Sequence, residues 1–425
     1  MQNNVRFKVY KKQIDINGVA SVRHLIALYD GDFLVNWTNF HEYITIGKYK
    51  RVVDITCNAG MRPYNVCKFL NYVFFDEYHV KKLTEITVEM IESFLNSYGM
   101  SKLPNDKPST HRQETTVELC VNHITDFALE LLRKHGNEMK FSKKDLVINY
   151  KQFNKYTNTY DELEKPVFTV YCKPSQSTIF RDIPDKAFKI IMNKIKTNHP
   201  NILMIASLGA YAGLRPSECC NVRRTDSPLG AGIKFDTYNG DVVDVRIDLL
   251  HERKLRSDEV FVGGIKKPRT QRVFQPFIDE FCDNYNLYMQ YIKGKKYETN
   301  YGALTNNRNG KAITYNSYFY EFKKVVKECI PEFLNSNDPQ LVFYGRELQN
   351  GQTIAPHIFR HWFSVQLTLG GASDAELMHW RGDKSVESAL AYLKNKGDLQ
   401  KKYKLVHNAT FSSLYNAAER KFTEK

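Results

Sequence analysis

Between residues 136 and 180 the chain loses its apolar period, and that interruption constrains the fold more than any other feature. Before it, apolar side chains recur at helical spacing. Val66, Phe69, Leu70, Val73 and Phe74 form one stripe; Val117, Cys120, Val121, Ile124, Phe127, Ala128 and Leu131 form another. After it the period resumes, with helices expected over 182–195 and 200–211 and mostly helix to the end. The stretch between, FSKKDLVINYKQFNKYTNTYDELEKP, mixes Lys, Tyr and Asn and fits neither a helix nor a half-buried strand. A chain of 425 residues divided in this way builds more than one core.

The two flanks differ in their strands. VRFKVYKK and VASVRHLIALY surround Ile16-Asn17-Gly18, and Asp30-Gly31-Asp32 turns the chain again, so two or three antiparallel strands are expected over 5–36. In the second half, residues 241–276 alternate like strands, with a turn around Gly263-Gly264 and Lys266-Lys267-Pro268. Thr87 is placed to cap VEMIESFLNSYG. The expected fold class is α+β and mostly helical. The layout is a β extension over 1–38, a helical domain over 39–150, a linker over 151–180, and a mixed α/β domain with a small antiparallel sheet over 181–425.

Formal net charge is +14, which favours a polyanion partner because Lys and Arg release counterions from a phosphate backbone. A solvated basic surface is the plainer reading of the same number. The eight cysteines contain no CxxC pair and no Cys/His ligand spacing, so buried reduced thiols are expected in place of structural zinc. No run approaches the roughly 20 apolar residues of a membrane span, and MQNNVRFKVYKKQ lacks the apolar region of a secretory signal. A soluble, cytoplasmic protein is the resulting expectation.

Four short segments could carry chemistry. In Tyr211-Ala-Gly-Leu-Arg215-Pro-Ser-Glu218, one helix ends at the glycine and another opens after Arg215, so a guanidinium and backbone N–H groups can converge on an anion. The plain alternative is an Arg215–Glu218 ion pair at a turn. In Pro356-His357-Ile-Phe-Arg360-His361, the two histidines and the arginine share a helix face at i, i+3 and i+4, where they form either a solvated polar face or a phosphate clamp. The segment from Val262 to Val273 reads as a hairpin presenting Lys266 and Lys267. Tyr392, in KSVESALAYL, sits on an amphipathic helix, where a tyrosine is most often core.

Taken together, in this order, the segments resemble the tyrosine recombinase (phage integrase) family. GLRPSE, PHIFRHWF and RGDKSVESALAYL match its local signatures across roughly 180–410, and the preceding helical block resembles its core-type DNA-binding domain less specifically. The resemblance implies a catalytic domain over 181–425 with a C-terminal tail helix, and Tyr392 as the nucleophile. The phenolic oxygen attacks a DNA phosphodiester, forms a 3′-phosphotyrosyl bond and releases a 5′-hydroxyl. A partner strand then reverses the step without metal, cofactor or ATP. Arg215 and Arg360 would bind the non-bridging oxygens. His357 would donate to the phosphate or take the tyrosine proton. Lys267, with Lys266 as the alternative, would protonate the leaving oxygen, and His361 would support the site.

One position departs from the family pattern. A His or Trp is usual nine residues before the tyrosine, where this chain has Asp383 after Gly382. Asp383 can orient Arg360 or His357 or cap the helix that follows, and His379 or Trp380 can fill the vacancy. The tail FSSLYNAAERKF (411–422) reads as a helix that docks on a neighbouring subunit, which implies a homo-tetramer on two double-stranded DNA sites, with accessory DNA-bending or directionality proteins as further partners. An integrating or excising mobile-element enzyme ranks first, since the 1–38 extension suits an arm-type DNA-binding module, although it suits a brace on the helical domain equally. A chromosome- or plasmid-resolving recombinase, a type IB topoisomerase-like enzyme and a non-catalytic DNA-binding protein on the same scaffold are the competing readings.

Overall fold

The computed structural model describes residues 5–16, 19–46, 51–52, 61–104, 106, 111–154, 158–173, 183–258, 260–298 and 300–382. The chain divides into two compact units, with the main break between residues 178 and 179 and the short segment Asn17–Ala20 grouped with the second.

The first unit opens with a sheet of order β1-β2-β3: β1 (Val5–Ile16), β2 (Val19–Asp30) and β3 (Phe33–Trp37). Gly31, at φ +57°, turns β2 into β3. A minimal pair, β4 (Thr45–Ile46) and β5 (Arg51–Val52), interrupts the block read as helical from 39 onward. Helices α1 (Met61–Asn71), α2 (Val88–Gly99) and α3 (Glu114–His135) then form the core. All seven expected apolar positions of α3 are buried, as are Val66, Phe69 and Leu70 of α1. Thr87 caps α2, its hydroxyl accepting from the Met90 N–H at 3.4 Å.

The N-terminal sheet shares this core. The Phe7 ring lies 5.1–5.5 Å from those of Phe40, Phe74 and Phe75. The side chain of Asn71, at the end of α1, mimics a neighbouring strand. Its oxygen accepts from the Phe7 N–H at 2.8 Å, and its amide donates to the Phe7 carbonyl at 2.9 Å.

Part of the segment expected as a linker, with the residues just before it, forms a β-hairpin. β6 (Val147–Asn154) pairs antiparallel with β7 (Thr159–Pro166) in unbroken register from Val147↔Pro166 to Asn154↔Thr159. Ile148, Phe153 and Tyr160 are exposed, so neither face has the apolar bias that marks a strand in sequence.

The second unit is built around α5 (Leu203–Tyr211), which follows α4 (Asp185–Asn198) and is buried at all nine positions. A helix that is apolar all round belongs inside a core. The short α6 (Pro216–Cys219) leads to the antiparallel sheet β10-β9-β8, formed by β8 (Ile233–Tyr238), β9 (Asp241–Leu249) and β10 (Arg269–Arg272). Helices α7 (Ile278–Ile292), α8 (Tyr315–Leu334), α9 (Pro339–Gln349), α10 (Ile358–Leu369) and α11 (Asp374–Arg381) complete it.

The strand expectation over 241–276 needs two corrections. β8 lies upstream of it and joins β9 through Asn239 and Gly240, both at positive φ (51° and 92°), the two-residue turn that Asn-Gly favours. The chain between β9 and β10 makes no tight hairpin. Its described residues carry no strand, and Val262 to Ile265 are buried because they pass beneath α6. A Cβ on Gly263 would stand 2.5 Å from the Ser217 carbonyl oxygen, and the Asn221 amide donates to the Gly263 carbonyl at 2.7 Å. The two lysines therefore end a long packed loop.

Candidate active site

The helix break after α5 is the first element of the site. Gly213 sits at φ +64°, and a Cβ there would meet the Phe363 ring at 2.5 Å, so glycine is required on both counts. The turn brings Arg215 to the start of α6. The Glu218 carboxylate reaches back to the Arg215 main-chain N–H at 3.1 Å and accepts from its Nη1 at 3.0 Å. The ion pair that was the plain reading of this segment is thus present, and the Arg215 side chain keeps 14% of its surface open.

Glu218 itself is fully buried and takes a second cation. Arg269, the first residue of β10, donates from Nη2 to Oε2 at 3.0 Å and from Nη1 to Oε1 at 3.3 Å. Burial alone would raise the Glu218 carboxyl. Hydrogen bonds and charge from Arg269, with charge from Arg215, outweigh it and hold the group below the ordinary carboxylate value.

Helix α10 supplies the second arginine. His357 stands just before its first residue and Arg360 one turn in. Arg360 is 1% exposed. Its Nη1 donates to the Gly213 carbonyl and its Nη2 to the Arg381 carbonyl, the latter at 2.7 Å. It thus ties the α5–α6 turn to the end of α11. Helix α10 is itself anchored by Trp362, whose indole stacks on Phe188 at 3.8 Å and donates to Asp185 at 2.9 Å.

Both histidines are held neutral. His357 is pulled down to about 4, first by burial and then by the charges of Arg360, Arg381 and Arg215, with Glu218 opposing. His361, its ring 4.9 Å from that of His357, falls to about 3, again by burial first and then through His357, Arg381 and Arg360. A neutral imidazole has one nitrogen able to accept a proton. An anion bound among these arginines would offset their charge and raise both histidines.

Lys267 is half-buried and lines a cleft of about 510 Å³ with Arg269, Thr270, His379, Trp380 and Gly382, whereas Lys266 is exposed outside that set. His379 is an exposed wall of the cleft. Trp380 packs edge-on against Phe274 at 5.1 Å, which is a core role. The structure therefore gathers Arg215, Arg360, His357, His361 and the Lys267 loop around one turn. Tyr392, Asp383 and the 411–422 tail lie outside the described residues. Sequence reading missed Arg269, Arg381 and Gln271, whose amide holds the Trp380 carbonyl at 3.0 Å. An arginine beside a lysine turn looks solvated in sequence, and only the tertiary distances mark these residues.

The fold is similar to those of known recombinases and integrases. The XerA recombinase is 15% identical with a TM-score of 0.36, covering 87% of this chain and 96% of that one. The Tn1549 transposon integrase, solved in complex with transposon right end DNA, is 13% identical with a TM-score of 0.48, covering 84% and 94%. The lambda integrase, solved as a dimer bound to a core site, is 12% identical with a TM-score of 0.39, covering 78% and 90%. No protein-family profile and no curated protein matches the chain.

Proposed function

We propose that the protein is a site-specific tyrosine recombinase that cuts and rejoins DNA through a 3′-phosphotyrosyl intermediate on Tyr392. One observation carries the reading. Residues from three separate segments, Arg215, His357 with Arg360, and Lys267, which is tied to Arg215 through Arg269 and Glu218, meet around a single turn with the histidines neutral. That set suits a phosphodiester in transition. Arg215 offers the partly open guanidinium for non-bridging oxygens, and buried Arg360 adds charge close behind it. The two are not equivalent forks, since Arg360 spends one N–H from each terminal nitrogen on a carbonyl.

His357, neutral and able to accept, is placed to take the phenol proton once the phosphate has offset the surrounding charge. Lys267 protonates the leaving 5′-oxygen, and its place in the cleft wall favours it over Lys266. The family draws a hydrogen-bond donor from His or Trp where this chain has Asp383, and Arg381, whose charge acts on both histidines, is the candidate to supply it here. The biological role that fits best is integration or excision of a mobile element by a tetramer on paired sites, in the nucleoid. The packing of Phe7 into the helical core favours a brace over a separate arm for the N-terminal strands.

The test uses a nicked duplex carrying the junction sequences that flank the coding region. Wild type is expected to leave an SDS-stable protein–DNA adduct, and Tyr392→Phe none. Absence of an adduct with wild type would sink the enzyme reading in favour of a DNA-binding scaffold. An adduct that survives Tyr392→Phe would move the nucleophile elsewhere.

A further inference from the structure

Arg269, which has no assigned chemical role, connects three parts of this site. Its two terminal nitrogens grip the buried Glu218 carboxylate, at 3.3 Å and 3.0 Å. Nη1 also donates to the Lys267 carbonyl at 2.9 Å, fixing the backbone of the lysine loop. Nε donates to the Gln271 side chain at 2.7 Å, and the Gln271 amide holds the Trp380 carbonyl. Beyond the helix end, Gly382 takes φ +59°, and a Cβ there would stand 2.8 Å from the Arg269 Nε. One planar guanidinium thus touches the phosphate-side arginine through Glu218, the lysine loop directly, and the start of the segment that leads to Tyr392.

We propose that Arg269 is a positioning residue that fixes Arg215 and the Lys267 loop in register, so that the phosphate clamp and the general acid are set by one side chain; this rests on the recombinase reading above. The physical case is geometric. A buried carboxylate between two guanidiniums has few alternative arrangements, and the fork allows one side chain to serve an acid and a carbonyl together. Lysine cannot replace it, because its ammonium is a point donor on a flexible stem.

The experiment uses the full chain on two forms of the nicked duplex, one normal and one with sulfur replacing the 5′-bridging oxygen at the scissile phosphate. A thiolate leaves without a general acid, so the sulfur substrate bypasses Lys267 and leaves the demand on Arg215 unchanged. Arg269→Lys retains a charge for Glu218 and loses the lysine-loop contact. It is expected to slow adduct formation tenfold or more on the normal duplex, and to return to within about threefold of wild type on the sulfur duplex. Arg269→Ala loses both contacts, and is expected to fall at least a hundredfold on the normal duplex and to recover only in part on sulfur. Gel-shift affinity for the duplex should stay within about threefold of wild type in both variants.

Wild-type rates in the variants overturn the proposal, as do losses that sulfur leaves untouched in Arg269→Lys. If Arg269→Ala does not fold, the lysine variant alone decides. If wild type forms no adduct on either duplex, it is the recombinase reading that fails, a separate outcome.

Discussion

In the first unit, β1 is joined to α1 through Phe7, whose ring lies among Phe40, Phe74 and Phe75 while Asn71 pairs with its main chain. In the second, β10 is joined to α6 through Arg269 and a carboxylate with no solvent exposure. Both junctions fasten a strand to a helix. The aromatic one gains free energy by removing apolar surface from water and asks little of orientation. The ionic one must offset the desolvation of three charges, and well-packed apolar side chains would often serve stability as well or better. Its arrangement makes sense where charge has to be held in a fixed place, as the proposed phosphoryl chemistry requires.

That contrast can be broken most directly at Glu218. Glu218→Leu leaves two guanidiniums facing a buried apolar group, and should cost about 3–5 kcal/mol in urea unfolding of the second unit and abolish the adduct. A loss below about 1 kcal/mol would mean that the network is solvated and weak. Phe7→Ala should cost about 3 kcal/mol through the lost ring and its cavity, read as an earlier unfolding transition of the first unit. Adduct formation per folded molecule should be unchanged, and a matching loss of rate would erase the distinction between the junctions.

Acid sharpens the comparison further, because each unit holds two histidines neutral. His24 and His123 of the first unit are lowered to about 4, each by burial first and then by Lys11 and Arg62 respectively, much as His357 is in the second. The unfolded chain takes up these protons below about pH 6.5, and the folded chain resists until about pH 4. Stability is therefore complete above about pH 6.5 and drains away towards pH 4, by on the order of 1–2 kcal/mol per histidine at pH 5. Melting curves between pH 7 and 5 should fall for both units. Added DNA should flatten the acid dependence of the second unit in particular, since phosphate beside its arginines favours protonated His357. At the small end, Thr87→Ala removes the cap of α2 and should cost about 0.5–1 kcal/mol with no effect on cleavage.

Much of the helical framework was legible in the sequence because burial there follows a period. The α3 stripe and the Thr87 cap are such cases. The turn at Arg215 and the His357–Arg360 spacing were legible for another reason, since glycine, proline and helical offset fix local geometry. What escaped was held by tertiary contact. β8 carries a readable signal in Asn239-Gly240, but the loop that follows β9 looks like strand in sequence because its Val and Ile are buried beneath α6 without strand pairing. The β6–β7 hairpin was invisible because both its faces meet water. Arg269 was indistinguishable from a surface arginine until its distances to Glu218 and the Lys267 carbonyl were known.

The close approach of Gly382 to Arg269 also bears on how the chain can change over generations. Any side chain at 382 must displace the guanidinium, and any shorter residue at 269 strands the Glu218 carboxylate with a single partner. Positions 218, 269 and 382 therefore form a set in which each first step is penalised and compensation needs a second. Drift should move them together or leave them still, whereas the exposed β6–β7 ribbon carries no such coupling.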